Sequence, residues 1–511
     1  MVKKNTDYTN IPKEKFEFYK RDESIHDKKL ETKPVGYFKD AMRRFAKNKS
    51  SVVAAYIILA LVLFAIFIPI FCENNYTKAA KDTTYLQYGK LLPKSSLFAW
   101  AGWDGCSKET LSEGDYLRRE AIAVETGHNP TAEVYSTFQD SANNNATYYK
   151  VRTDSYLKNG MIYMTLSTQD YQAIQAWQNE TGVQVIYPAV DTSSLKVATL
   201  KNDANIWYQC TNKGLPKLDK NGNFIKIYKT KGADDYESIR IAGDDGSYRY
   251  AVVGGTSTAK SYQVRVFTYT YFQYRYGHEP SFLFGTNAYG QDILTRLAKA
   301  VRFSILLALG VSAINLFLGA IYGAVEGYYG GAIDLIMERI SDILSGVPFV
   351  VVVTLFQLHL ASTVGVVISF LFAFVLTGWI GMAALTRKQF YRFKGQEYVL
   401  AARTLGASDA RLIFKHIFPN SLGTIVTGAV MTIPGVIFSE SMLSYLHIIN
   451  LETSSLTSIG TLLSGGQAYL STYPHIIMFP AIFIAILEIA FNLFGNGLRD
   501  ALNPSLRGAD D

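Results

Sequence analysis

The sequence predicts an all-α membrane domain with six transmembrane helices, interrupted after the first helix by an inserted α+β domain. Three observations carry that prediction. Hydrophobic residues make up 49% of the 511-residue chain and charged residues only 18%, below the roughly 25% charged of an ordinary soluble domain. The apolar residues are gathered in long runs without charge, one of them 44 residues long. The 209 residues from 73 to 281 break that pattern with mixed sequence of near-neutral balance, long enough to bury a core of their own. The apolar content excludes a disordered chain, and three cysteines exclude a disulfide-built scaffold.

The 50-residue head carries 14 Lys/Arg against 8 Asp/Glu, with Lys39, Arg43, Arg44, Lys47 and Lys49 massed before the first apolar run. It is too long for the basic region of a cleaved signal peptide, so the first span reads as a retained anchor. Residues 51–72 hold no charge; at about 1.5 Å per residue such a run crosses the roughly 30 Å hydrocarbon core. Residues 303–325 form the second span. The uncharged run 343–386 is too long for one crossing and divides at 357–363 into the third and fourth. Residues 422–438, extended by 442–449, make the fifth, and 475–498 the sixth, interrupted by Glu488 alone. One such run would suit a buried core helix of a soluble protein; six do not. Pro434 and Pro480 are read as bends.

Orientation follows from the basic residues beside the spans. Residues 385–420 carry Arg387, Lys388, Arg392, Lys394, Arg403, Arg411 and Lys415 against Glu397 and Asp409, whereas 442–473 has no Lys or Arg. The N-terminal tail 1–50, the 385–420 loop and the C-terminal tail 499–511 are therefore expected in the cytoplasm, and 73–281 outside. Two places fit poorly. The loop between spans two and three must be cytoplasmic by parity, yet it holds Glu326, Asp334, Glu338 and Asp342 against Arg339 alone; and Arg296, Lys299 and Arg302 fall on the outer side, in an amphipathic segment, 282–302, before span two.

In the insert, 107–127 and 167–182 read as helices, the second opened by Ser167 with Asp170. Residues 183–189, 224–228 and 248–253 read as strands, and 262–276 alternates as a strand throughout. Asn221-Gly222 marks a hairpin turn at 220–223. Asp219, Asn221 and Asn223 have the spacing of a calcium loop, but its sixth position is Phe224 and its twelfth Thr230, where a glycine and a glutamate are needed; the plain hairpin is preferred. Cys106 and Cys210 are a candidate disulfide or two free thiols, and Cys72 at the membrane boundary has no evident partner.

The chain contains no GxxxxGK[ST], HExxH, paired CxxC or GxSxG pattern, so no catalytic, metal or cofactor-binding residues are assigned and the chain is read as a non-enzyme. Residues 463–467 spell LSGGQ, an ABC-ATPase signature, but without a phosphate-binding loop and in a predicted outer loop it is read as coincidence. The basic loop, EYVLAARTLGASDARLIFKHIFPN over 397–420, is the informative stretch. It reads as two short helices, the first from about Gly395 to a left-handed cap at Gly406, the second capped by Ser408, with Pro419 leading into span five. Ala401 and Ala402 give a small-sided surface that another protein can approach closely; a connector lying on lipid headgroups is the plainer alternative.

That loop resembles the EAA loop of ABC importer permeases, and the chain resembles more narrowly the C-type permease subunit of oligopeptide and dipeptide transporters (OppC/DppC). FLFGTNAYGQD (282–292), GYYGGAID (327–334) with Arg339, Asp342 and Pro348, Ser439-Glu440 with Leu443, Ser444 and Leu446, and FNLFGNGLRDALNP (491–504) are similar to that subunit in the same order, over 34–71 and 282–508. Leu400, Gln291, Asn496 and Phe418 depart from the family's residues, and the insert exceeds its usual short segment.

The resemblance implies a type I ABC importer permease fold in a bacterial cell membrane. It implies a peptide pathway formed with a second permease subunit, and an extracellular peptide-binding lipoprotein that delivers cargo. Two cytoplasmic ATPase subunits would carry ATP and magnesium and grip the loop through Glu397, Ala401, Ala402, Gly406, Ser408, Asp409 and Pro419. Membrane lipid is the other partner, and nucleic acid is not one. Within the subfamily, dipeptides or nickel are alternative cargoes; a membrane receptor with a ligand-binding ectodomain is the remote alternative. The insert is expected to dock the binding protein, against a plain envelope spacer. Glu488, an acid inside a span, is expected to face the bundle interior or water, either contacting the pathway or the partner subunit, or serving as a structural carboxyl.

Overall fold

The computed structural model describes residues 37–502 except 73–86, 142–144, 188, 191, 193–194, 228–240, 243–247, 250–251, 257–259 and 453–455. The basic head up to residue 36, the tail beyond 502, Tyr228, Thr230 and the middle of the 248–253 strand lie outside the described residues. An amphipathic helix α1 (Tyr37–Lys47) leads into α2 (Lys49–Phe71). Asn48 caps the start of α2 by accepting from the Ser51 amide at 3.3 Å.

The insert begins and returns through a neck. The Lys90 amide donates to Asn287 O at 2.9 Å, Thr286 to Leu91 O at 2.9 Å, and Lys94 to Phe282 O at 2.9 Å. Between these ends, β1 (Cys106–Ser112) precedes α3 (Glu113–Thr126). The expected helix over 107–127 thus begins as strand, because Ser112, not an earlier residue, accepts from the Asp115 amide and starts the helix, while the polar 106–112 pairs with β3. Strands β2 (Thr131–Asp140) and β3 (Ala146–Asp154) complete an antiparallel sheet ordered β1-β3-β2. Then come β4 (Met161–Ser167), α4 (Thr168–Thr181) and the two-residue β5 (Ile186–Tyr187); Ser167 caps α4 by accepting from Asp170.

Strands β6 (Ile241–Ala242), β7 (Tyr248–Arg249) and β8 (Val252–Gly255) precede β9 (Lys260–Phe267), the centre of a second antiparallel sheet, β4-β9-β5, with β8 also on β9. The expected strand over 262–276 stops at Phe267, and Thr268–Tyr276 is a helix, α5. Aromatic residues on both parities of 268–276 erase the distinction between periods. Helix wins because Tyr269, Phe272 and Tyr276 then share one face and pack against Tyr88 and Phe282. The buried Arg265 of β9 forks onto Glu125 of α3 at 2.7 and 2.6 Å and donates to Ala204 O at 2.6 Å, tying α3 to the second sheet.

At the 219–223 hairpin, the Asp219 carboxylate accepts from the Asn223 and Asn221 amides, both at 2.8 Å. The Asn223 amide, then that of Asn221, holds this carboxyl below its ordinary range. These acceptor positions serve the turn. The candidate disulfide is not formed: Cys106 and Cys210 are free thiols, turned toward the carbonyls of Asp104 and Tyr208, as is Cys72. Cys106 sits on β1, whereas Cys210 lies against the separate core around Trp207.

Asp292 caps α6 (Ile293–Tyr329) by accepting from the Leu294 and Thr295 amides at 3.3 and 3.1 Å, so half of the amphipathic 282–302 segment is continuous with the second span. Helix α7 (Gly331–Ser345) meets α8 (Phe349–His359) at a bend of 72°. The residues expected as the third span thus fold as a bent pair and not as one straight helix. Pro348 supplies no amide hydrogen and disfavours helical backbone at the residue before it. A single turn, α9 (Ala361–Val364), and Gly365 at φ +87° separate α8 from α10 (Val366–Lys394), close to the expected division at 357–363.

After α10 come α11 (Glu397–Thr404), the short α12 (Asp409–Arg411), a π-helical turn over Leu412–Ile417, α13 (Phe418–Tyr445), α14 (Ile459–Gly466) and α15 (His475–Leu502). Among the described residues, five helices are long and apolar enough to cross a membrane, and the bent pair makes up to six.

Helix α6 is the axis of the bundle. Gly319, Gly323 and Gly327 recur every four residues along the face that meets α10. A side chain at Gly323 would stand 2.1 Å from Ala383 O, and at Gly319 2.7 Å from Trp379 O. Without a hydrophobic force between helices in lipid, close backbone packing of this kind holds them together. The insert rests on the N-terminal end of α15: Phe284 stacks on Phe479 at 4.2 Å, Trp103 meets Phe479 edge-on at 5.7 Å, and His475 Nε2 lies 3.4 Å from Thr286 O. The LSGGQ stretch lies at the end of α14, where Gly466 is pressed against Ile477; its glycine serves packing.

Candidate functional site

The basic loop is built on the end of α10. Arg387 Nε and Nη2 donate to Asp334 at 2.6 and 2.9 Å, and Nη1 and Nη2 to Glu338 at 2.9 and 3.2 Å, with Glu326 3.5 Å away. Tyr391 Oη donates to Asp334 at 2.5 Å, and Lys394 Nζ to Gly327 O at 2.8 Å. Three of the four acids expected between the second and third spans, Glu326, Asp334 and Glu338, are thus counter-charges of Arg387 on α10, and Asp342 pairs with Arg339. The three rigidify the platform from which the loop projects.

From that platform α11 and α12 fold back as a two-sided surface. Val399, Leu412, Ile413 and Ile417 are buried against Phe390, Ala324 and Tyr328, with Ala402 and Ala407 partly buried at the edge. Tyr328 Oη donates to Asp409 at 2.5 Å and accepts from Arg403 at 3.3 Å, pinning the turn to α6. The opposite side carries Glu397, Ala401, Gly406 and Pro419 exposed, and Leu405 88% exposed. Gly406 takes φ +84°, with open space where a side chain would stand; only glycine holds that conformation without strain. Glu397 forms no side-chain hydrogen bond or ion pair among the described residues.

Two sequence expectations need correction. Ser408 has the extended backbone of a cap, φ −66° and ψ 157°, but its hydroxyl makes no capping bond. The second short helix is not separate: α12 runs through the π-helical turn into α13. Pro419 explains the widened turn. It has no amide hydrogen, and its ring crowds the carbonyl four residues back; opening the helix over 412–417 relieves both. Asn420 Nδ2 donates to His416 O at 2.8 Å and Ser421 Oγ to Ile417 O at 3.0 Å, covering carbonyls at the junction.

Beside the loop, a largely apolar cavity of about 850 Å³ opens between α6 and the start of α13, lined by Phe317, Ile321, Val325, Phe414, Phe418 and Leu422. Phe414 is 68% exposed on this flank.

Glu488 is half-buried on α15, and one carboxylate oxygen is shielded from solvent without a hydrogen-bond partner. A second intramembrane acid, Glu440, entered the sequence reading only within a stretch of family resemblance and not as a buried group. Glu440 of α13 is fully buried and accepts from Ser304 at 3.2 Å, Ser441 at 3.4 Å and Ser444 at 3.1 Å. Ser304 lies on α6, so the carboxylate joins two spans. Its signal was the serine cluster around an acid at the end of an apolar run.

Residues 315–508 match the family described as the binding-protein-dependent transport system inner membrane component, and residues 36–93 match the N-terminal transmembrane domain of oligopeptide transport permease C. The oligopeptide transport system permease protein OppC of Bacillus subtilis is 43% identical over 224 residues, covering 44% of this chain and 72% of that protein. The dipeptide transport system permease protein DppC of the same organism is 40% identical over 225 residues, covering 44% and 69%. Among solved structures, the inward-facing MetNI methionine ABC transporter aligns at 15% identity and a TM-score of 0.35, over 41% of this chain and 96% of that chain.

Proposed function

The chain belongs to the binding-protein-dependent inner-membrane permeases, in their oligopeptide and dipeptide branch, and from that premise we propose how it works as a transport subunit. It is a multi-pass membrane permease of an ABC importer for oligopeptides, a transport component and not an enzyme. ATP hydrolysis, with its magnesium, falls to separate cytoplasmic ATPase subunits. The observation that carries the coupling mechanism is the two-sided loop: one face locked to α6 and α10, the other presenting Ala401, Leu405 and Gly406 to a partner. ATPase closure pushes on that exposed face. The Arg387 platform passes the push to α6, α7 and α10 as a rigid unit, and alternating access follows from rigid-body motion.

The apolar flank at Phe317, Ile321 and Phe414 suits a second permease subunit, with which the peptide path would be shared. Both tails and the 385–420 loop would face the cytoplasm, by their positive charge, and the insert would face outward, docking a peptide-binding lipoprotein. Glu488, with its unpartnered oxygen, would face the pathway or that second subunit.

The test is co-purification of ATPase subunits with the solubilised wild type and with Gly406→Asp. A side chain at φ +84° is strained, and the added acid sits on the exposed face. Loss of the ATPase from the variant alone supports the mechanism; no ATPase with either protein in several mild detergents overturns it.

A further inference from the structure

We propose that the groove between α10, α13 and α15, at the loop-bearing end of the bundle, binds the phosphate headgroup of an anionic phospholipid through Arg392 and Arg499. The cavity there measures about 390 Å³, apart from the apolar flank beside Phe414. Its walls change character along their length. On α10, Leu385, Gln389 and Arg392 line it at i, i+4 and i+7, a single helical face. On α13, which runs the opposite way, Thr424, Thr427 and Met431 line it. Arg392, Thr424 and Arg499 therefore lie at the loop end, and Leu385 and Met431 lie deeper, about 10 Å away along α10.

Two arginines at the mouth and the apolar Leu385 and Met431 at its depth, with Gln389 and Thr427 between them and Leu502 beside Arg499, suit a lipid: charge at the membrane surface and an apolar chain below it. Neither arginine has an acidic partner among the described residues, and no acidic residue lines the groove. Gln389 lines the wall between Arg392 and Leu385. Basic pockets between spans, at the positively flanked side of a membrane, hold anionic headgroups through the same forces. A free phosphate shares the headgroup chemistry but leaves the Leu385–Met431 end bare; the groove's apolar depth assigns the lipid.

The experiment is native mass spectrometry of the full-length chain released from nanodiscs of equimolar phosphatidylglycerol and phosphatidylcholine. The wild type should retain phosphatidylglycerol preferentially. Arg392→Gln with Arg499→Gln should lower that preference roughly 30-fold, at two basic contacts. Lys388→Gln, on the same helix but outside the groove, should retain it as the wild type does. Thr424→Trp, which fills the cavity and keeps both arginines, should also lose it and carries the test where the double variant fails to fold. Preference unchanged in the double variant or in Thr424→Trp overturns the proposal. So does displacement of the lipid by inorganic phosphate, which would make this a free-anion site, or by a tetra-alanine peptide, which would place it on the cargo path. The inference rests on the spans and not on ATPase coupling, so a failed co-purification leaves it standing.

Discussion

Arg387 and Asp334 form a forked pair, Nε to Oδ1 at 2.6 Å and Nη2 to Oδ2 at 2.9 Å, that locks α10 to α7 across the break between consecutive spans. The Asp334 side chain is 13% exposed and that of nearby Glu326 4%. Removing the guanidinium strands three acids at once. Arg387→Ala should lower stability by roughly 2–3 kcal/mol, less than for a fully buried pair because the arginine keeps some water contact. Arg339→Ala removes an exposed pair with Asp342 and should cost well under about 1 kcal/mol. Thermal unfolding of both variants in detergent checks the contrast.

The serines around Glu440 need an acceptor. Glu440→Leu leaves the hydroxyls of Ser304, Ser441 and Ser444 without the bonds they now make, and should destabilise by about 1–3 kcal/mol. Glu440→Gln keeps an acceptor oxygen and should fall between it and the wild type. Melting temperatures in one detergent order the three proteins; equal values for leucine and wild type refute the account.

Close helix packing gives a sharp comparison within α6. Gly323→Ala places a carbon where Ala383 O lies 2.1 Å away, forcing the helices apart at about 1–3 kcal/mol. Gly310→Ala meets nothing within 4 Å and should be neutral or gain up to about 1 kcal/mol from helix propensity. A lowered melting temperature is expected for Gly323→Ala and not for Gly310→Ala.

The Asp219 turn makes its contribution as a carboxylate. Its folded pKa is depressed, so the stabilisation is complete above the ordinary value near about 4 and is lost as pH falls through the lower folded value. Asp219→Ala should melt below the wild type at neutral pH, with the gap closing as the medium is acidified. Calcium chelation should leave the wild-type melting temperature unchanged, because the turn's own amides occupy the carboxylate.

The spans were legible because charge-free runs are a property of the residues alone. The pairing of Arg387 with Asp334, 53 positions away, was not, and without it the acids at 326–342 look like a violation of charge asymmetry. The bend at Pro348 was visible as a residue, but an uncharged run shows no distinction between a straight and a broken helix. In the coupling loop, glycine announced the turn at Gly406. The π-helical turn was hidden, since its cause, Pro419, lies beyond it and reads equally well as a simple helix start. Strands β2 and β3 were missed for a different reason: β2 is exposed along almost its whole length, so no alternation marks it.

The neck of the insert has a consequence for how its length can change. Leu91 and Thr286 bond to each other although 195 positions separate them, and Lys94 and Phe282 repeat the pairing one step further out. Loop-closure cost grows only slowly with loop length, and a sequence stitched shut at its base presents the bundle with the same short clasp whatever it encloses. Inside that clasp the insert also meets the bundle, at Trp103 against Phe479 and at Lys158 over Tyr473. A change of length within the insert, away from Trp103 and Lys158, would leave both ends of the Leu91–Thr286 clasp where they are.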